Sequence, residues 1–282
     1  MIKFFRKLRY DILGENLPAS EATSKGRGKT GLPTEAPAKA GKPASRTGRY
    51  LKYALGEIIL VVIGILIALQ INNFNTERQK RAIEQEYLLS LQSEFNTNLE
   101  KIDVSIAENT ERIQTAEQML TLFDTNVLNI TKDSTISEII YEIFSGEAFY
   151  HPSTGVLTDI ISSGNLNLIQ NKNLRQLIAS FESQLEFVKI QENYMTNGKN
   201  ELQKLLSKNG SIRKVLQFKG LNFEHESISD TVDNRQLFTQ TEFENSLLDY
   251  FLTIRAANGE KCFGGIKEHV ELILSELDKE TK

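Results

Sequence analysis

The chain has no tryptophan, one cysteine, three histidines and five prolines among 282 residues. Each shortage excludes something. Cys262 stands alone, so no intramolecular disulfide can form. The histidines, His151, His225 and His269, show no HExxH spacing and no two are adjacent, which argues against a zinc site. Without tryptophan, and with no aromatics interleaved in a basic patch of the body, nucleic acid is not an expected partner. The segment YHPSTGVLTD sets His151, Ser153 and Asp159 close together but contains no nucleophile-elbow motif. Its simpler reading is a helix start, with Pro152 and Ser153 leading in and Ser153 or Thr154 as the cap. Gly28-Lys29-Thr30 is no phosphate loop, because position 23 is Thr where that motif needs glycine. No catalytic, cofactor-binding or metal-ligating residue is expected, and the chain is not read as an enzyme.

What the sequence does have is a long hydrophobic run, GEIILVVIGILIALQINNFN at residues 56–75. From Ile58 to Leu69 there is no polar side chain, and ten of those twelve residues are Ile, Leu or Val. At roughly -0.3 to -0.6 kcal/mol each they favour membrane insertion by about 3 to 6 kcal/mol. The nineteen residues from Ile58 to Thr76 carry no charge, and as helix they extend about 28 Å, close to the roughly 30 Å hydrocarbon core of a bilayer. A soluble core helix shows a polar face in every turn, and this run shows none for three. A cleavable signal fits poorly, since some fifty residues precede the run and Ala68-Leu69-Gln70 is not a small-x-small site. Residues 54–74 are therefore read as an uncleaved signal-anchor helix that meets the lipid bilayer.

The formal net charge of -4 hides a polar layout. Up to residue 52, twelve Lys/Arg stand against four acids; beyond Glu57, 21 face 32. Before the run lie Lys39, Lys42, Arg46, Arg49 and Lys52; after it come Arg78, Lys80 and Arg81. The positive-inside count puts the N-terminus in the cytoplasm and the acidic body outside, in the periplasm of a Gram-negative cell, although the three later cations pull the other way.

Residues 1–16 form a basic amphipathic segment. Phe4, Phe5, Leu8 and Ile12 lie at near-helical spacing among Lys3, Arg6, Lys7 and Arg9, a pattern suited either to anionic lipid or to a solvated topogenic arm. Residues 17–49 hold Pro18, Pro33, Pro37 and Pro43, no aromatic residue and only Leu17 and Leu32 as large aliphatics. Such a segment buries too little to offset its ordering entropy, so a disordered linker is expected.

Residues 77–282 read as an all-α domain. Leu88, Phe95, Ile102, Ala116 and Phe123 interleave with Leu99, Ile106, Ile113 and Leu120 in a heptad stripe, with Gln92 and Asn109 on the same face. Asn109 in that stripe is placed to fix pairing or register. A second stripe runs through Leu174, Ile178, Phe181, Leu185, Val188, Met195, Leu202 and Leu206, interrupted by Glu192 and Lys199. The same pattern serves an intermolecular coiled coil or an intramolecular bundle. The bundle predicts that Leu99, Ile106 and Ile113 are buried chiefly against the 171–206 helix. Shorter helices are expected around Ile136–Phe144 and Val156–Ile161, the latter ended by Ser163-Gly164-Asn165, and two more around Phe243–Ile254 and Ile266–Leu277. Residues 207–240 are poorly periodic, and Val215–Phe218 is short and apolar enough for a strand.

MIKFFRK, YLKYALGEIILVVIGILIALQINNFNTERQKR and the looser SSGNLNLIQNKNLRQLIASF together resemble a family of bacterial single-pass membrane proteins, a domain-of-unknown-function family. The resemblance implies an N-terminal anchor and a helical extracytoplasmic domain, and it supplies no activity. Members set the two N-terminal segments almost adjacent, so residues 17–49 look like an insertion. The functional expectation is a membrane-anchored helical scaffold or interaction protein of the cell envelope, in the inner membrane, binding its own helices, a second copy or another protein. The alternative is a periplasmic sensor-like bundle that binds a small ligand and couples to the membrane helix.

Overall fold

The computed structural model of the chain describes residues 46–281, the first four by backbone alone. The basic segment 1–16, with Lys3, Arg6, Lys7 and Arg9, and all but the end of the 17–49 linker lie outside the described residues. The first helix, α1, runs Arg46–Thr121. It begins four residues inside the expected linker, because no proline lies between Pro43 and the apolar run to stop an established helix from extending toward its N-terminus. From Ile65 to Thr121 it contains neither glycine nor proline.

The chain divides into two units, Met1–Ile63 and Gly64–Lys282. In the first, every described side chain is exposed, the large apolar ones from Tyr50 to Ile63 included. In the second, α1 stays exposed until Glu84 and then supplies a wall of a helical bundle. Leu88, Leu91, Phe95, Ile102, Ala116 and Met119 are fully buried along it. Each large aliphatic or aromatic residue so covered contributes about 1.5 to 3 kcal/mol.

Three further lengths of chain lie along α1. Helix α5, Lys172–Asn209, runs parallel to it and starts at Asn171, whose side chain accepts from the Leu174 N–H. All eight apolar residues of its expected stripe are buried. Phe181 meets Phe95 of α1 edge to face at 5.1 Å. Helices α7, Thr241–Ala257, and α8, Phe263–Glu280, run antiparallel to α1. Lys267 bonds Asp103 at 2.7 Å and Gln92 bonds Asp278 at 2.6 Å, fixing the α8 register. The α7–α8 turn needs glycine at 265, where a Cβ would sit 2.0 Å from the Glu260 carbonyl oxygen. Gly198 lets α5 approach α7 closely, since a Cβ there would lie 3.2 Å from the Tyr250 ring.

The fourth length is mostly irregular. After α2, Thr125–Ile130, and α3, Asp133–Phe144, the chain turns back as an extended strap, residues 145–154. It continues into α4, Gly155–Ser162, and a 3-10 turn, Asn165–Leu168. Gly164, at φ 73°, ends α4 in the left-handed region, as expected of that glycine. At the far end of the bundle, Phe123, Phe238 and Phe243 form an aromatic cluster, and α6, Ile212–Phe218, packs on α3.

Two expectations need correction here. Val215–Phe218 is helical, because Ser211 caps α6 by accepting from the Lys214 N–H and only Val215 of that run is buried. Leu99, Ile106 and Ile113 pack against the core but are half-buried. Their row faces α8 and the α7–α8 turn rather than α5: its neighbours Gln92, Asp103 and Thr110 bond Asp278, Lys267 and Asn258. Among the described residues there is no strand, so the fold is all-α.

Candidate functional site

The strap has no helix or sheet in which to pair its backbone, and buried peptide groups left unpaired cost about 1 to 3 kcal/mol each. Side chains of α1 and α5 supply the partners. Arg112 donates to the Ser145 and Gly146 carbonyls, the latter at 3.0 Å, and Lys199 donates to Gly146 at 2.7 Å. The Ser105 hydroxyl donates to the Phe149 carbonyl at 3.0 Å. The Tyr150 N–H donates to Glu192 at 2.7 Å. Asn98 grips Ser153 twice, accepting from its N–H at 2.7 Å and donating to its carbonyl at 2.8 Å.

The same pattern continues below the strap. The Glu94 carboxylate accepts from the Val156 and Leu157 N–H groups at 2.8 and 3.0 Å. It caps α4 from another helix, where the positive end of the helix dipole favours a carboxylate. The expected cap by Ser153 or Thr154 is therefore not what forms: Thr154 holds the cap position without a side-chain bond. Ser153 is turned to Lys101, whose ammonium lies 2.8 Å from its hydroxyl. Glu84 accepts from the Gln170 N–H at 2.6 Å. Glu84, Leu91, Asn98, Ser105 and Arg112 are seven apart, a heptad row of mostly polar residues facing the strap. Asn109 lies on the adjacent row, that of Leu88, Phe95, Ile102 and Ala116, and donates to the Ile254 carbonyl at 2.7 Å and the Asn258 side chain at 2.9 Å, closing the end of α7. It fixes a register, within the chain.

The charges in this seam are costly to bury and are paired accordingly. Lys199 and Glu147 form a largely covered ion pair at 3.1 Å, with Thr196 also on Glu147. Burial raises the Glu192 carboxyl above its ordinary value; the Tyr150 N–H, His151 and Lys189 pull back in the other direction. The Tyr150 hydroxyl is buried without a partner, and burial raises its pKa. Cys262 is buried at the start of α8, and burial pushes its thiol up to about 12, so it stays protonated and unreactive.

The residues singled out in the sequence do not converge. His151 is exposed and packs its ring near Phe149, Ser153 belongs to Lys101, and Asp159 accepts from the Tyr87 hydroxyl at 2.8 Å. His269 lies 2.8 Å from the Leu177 carbonyl oxygen and stacks on Phe181, while His225 lies beside Arg213. Among the described residues no group of His, Cys, Asp and Glu is arranged to hold a metal. A groove of about 360 Å³ opens between α1 and α4, lined by Ile83, Glu86, Tyr87, Ser90, Gly155, Val156 and Asp159. Sequence reading missed the seam because Glu84, Glu94 and Asn98 look like any solvated helix face. Its one visible trace was the interruption of the second stripe at Glu192 and Lys199, both of which hold the strap.

The 46–121 helix is long and apolar enough to cross a membrane. Comparison with curated proteins and with solved structures finds no match. One family's sequence pattern matches residues 57–246, from the apolar run into α7. With two thirds of its length covered, the chain belongs to that family, a family of unknown function (DUF6090).

Proposed function

We propose that the protein is a single-pass inner-membrane protein of the bacterial envelope, spanning the bilayer through residues 54–74. Its N-terminus is cytoplasmic, its domain of residues 77–282 periplasmic, and it acts as a non-catalytic scaffold or interaction module. One observation carries this reading. The large apolar side chains from Ile58 to Ile71 are all between 47% and 60% exposed, while the domain's own stripes close on each other. Eleven uncovered aliphatics in succession need an apolar solvent, and lipid is the one whose thickness matches the run. The cation count before and after the run supports the orientation. The seam supports the scaffold role: its polar groups bond the chain's own backbone, so the polar side chains of α1 hold an architecture together.

The sensor-like alternative draws on the groove beside Tyr87, which lies on α1 a few turns beyond the apolar run. A ligand there would touch α1 and α4 together. Alkaline phosphatase fused after Lys282 should be active and a cytoplasmic reporter dark, and the reverse would overturn the orientation. Crosslinking and mass spectrometry in native membranes should recover protein neighbours of the domain. Recovery of none, together with stabilisation by a small metabolite, would favour the sensor.

A further inference from the structure

We infer that the end of the helical domain nearest the apolar run is a docking surface for anionic phospholipid head groups, formed by Arg78, Lys80 and Arg81 with Lys172 and Lys279 beside them. This rests on the spanning reading of residues 54–74.

Three elements meet at that end of the bundle. Arg81 bonds the Gln170 side chain, Asn171 donates to Glu276 and Glu280 at 2.8 and 3.0 Å, and Gln85 donates to the Glu280 carbonyl at 3.4 Å. The start of the domain's α1, the turn into α5 and the end of α8 therefore share one face. Their charges are sorted. The acids turn inward: Glu84 is 2% exposed, held by Arg81 and the Gln170 N–H, and Glu276 is 16% exposed, held by Lys279 and Asn171. The cations turn outward: Lys80, Arg81 and Lys279 are 50%, 53% and 59% exposed, and Arg78 and Lys172 are exposed as well. Not every acid is withdrawn: Glu280 is half-buried on Asn171, Glu86 is exposed, and Glu77 is exposed and bonded to Lys80 at 2.9 Å; a pair so open to solvent holds its cation weakly.

Distance along the helix selects the partner. Arg78, Lys80 and Arg81 lie four, six and seven residues beyond Phe74, or about 6 to 10 Å at 1.5 Å per residue. The head-group layer is roughly 5 to 8 Å deep on each side of the hydrocarbon. Arg78 thus emerges within the head-group layer and Lys80 and Arg81 at its outer edge, from where their long side chains reach back to the phosphates, and guanidinium forks suit phosphate oxygens. This also gives a use to three cations that run against the positive-inside count.

The test is lipid selectivity of the full chain in phosphatidylcholine vesicles, read by electron paramagnetic resonance of spin-labelled lipids. Phosphatidylglycerol should associate about fivefold more strongly than phosphatidylcholine, and R78Q/K80Q/R81Q should lower that selectivity at least about twofold. R78Q/K80Q leaves the Arg81–Glu84 bond in place, and it should show the same direction if the triple variant fails to fold. Selectivity that is absent, or unchanged in a folded variant, overturns the inference. If neither labelled lipid shows a motionally restricted component, the spanning reading itself fails, a distinct result.

Discussion

Two stretches of α1 invert the usual rule of burial. Between Ile58 and Ile71 the side chains are almost all aliphatic, and all the large ones are exposed. Between Glu84 and Asn109 charged and amide side chains recur, and Glu84, Glu94, Asn98, Ser105 and Asn109 are buried. Residue class alone therefore does not say where a helix face goes. What decides is the partner on offer: on the proposed spanning reading an apolar run with no protein cover meets lipid. Buried polar groups are instead tolerated when they complete the hydrogen bonds of backbone that cannot complete its own, in the strap for Asn98 and Ser105, at helix ends for Glu94 and Asn109 and at the turn before α5 for Glu84.

The comparison breaks most visibly at its apolar contacts. Phe95→Ala empties a fully buried site against Phe181 and should cost about 3 to 5 kcal/mol, read as a loss of melting temperature of the full chain in nanodiscs. An unchanged melting temperature would remove the α1–α5 interface from the account. In the exposed stretch the equivalent substitution acts on insertion instead. Leu66→Arg should disfavour the span by about 3 to 4 kcal/mol, offsetting most of what the run supplies. It should move the chain out of the carbonate-resistant membrane fraction without altering the helical domain's hydrogen exchange.

The polar side of the comparison comes next in size. Glu94→Ala orphans two N–H groups at the start of α4 and should cost about 2 to 3 kcal/mol, with Glu94→Gln in between. Limited proteolysis should then cut first within residues 145–162. Cleavage elsewhere, with that segment still protected, would show that the seam is dispensable. Ile106→Ala should cost less, about 1 to 2 kcal/mol, because its site is only half closed.

The helices were legible because burial of one face imposes a period, and Leu88, Phe95, Ile102 and the whole α5 stripe kept it. Their partners were less legible. Leu99 and Ile106 share that period yet face α8, since a heptad gives the angle of a residue and not which neighbour lies there. Pro152 marked a helix start, but nothing local announced that Asn98 and Glu94, some sixty residues earlier, would pair the backbone of the strap and of that helix's first turn. That pairing is long-range and leaves no periodic trace in α1. Asn109 was visible because a lone amide breaks an apolar row, whereas Glu84 and Ser105 sit in a row already mixed.

The smallest expected effect concerns pH. Burial raises Glu192 in the folded chain, so its protonated form favours folding. That contribution is complete below the ordinary carboxyl value and is lost as pH rises through the raised one. Glu192→Gln should flatten this part of the stability profile, so that the variant gains relative to the parent as pH increases. A parallel profile would mean that the Tyr150 N–H bond and the neighbouring cations cancel desolvation, and a variant that loses relative to the parent as pH increases would mean that they outweigh it.

The central claim is that α1 changes solvent along its length. Single spin labels from Tyr50 to Glu84, with accessibility to oxygen and to a polar nickel chelate measured in bilayers, test it most directly. From Ile58 to Leu69 oxygen should reach the label and the chelate should not. The preference should reverse between Gln70 and Arg78, and at Glu84 both should be excluded by protein. Free access of the chelate to a label at Ile63 or Leu66 would contradict the account.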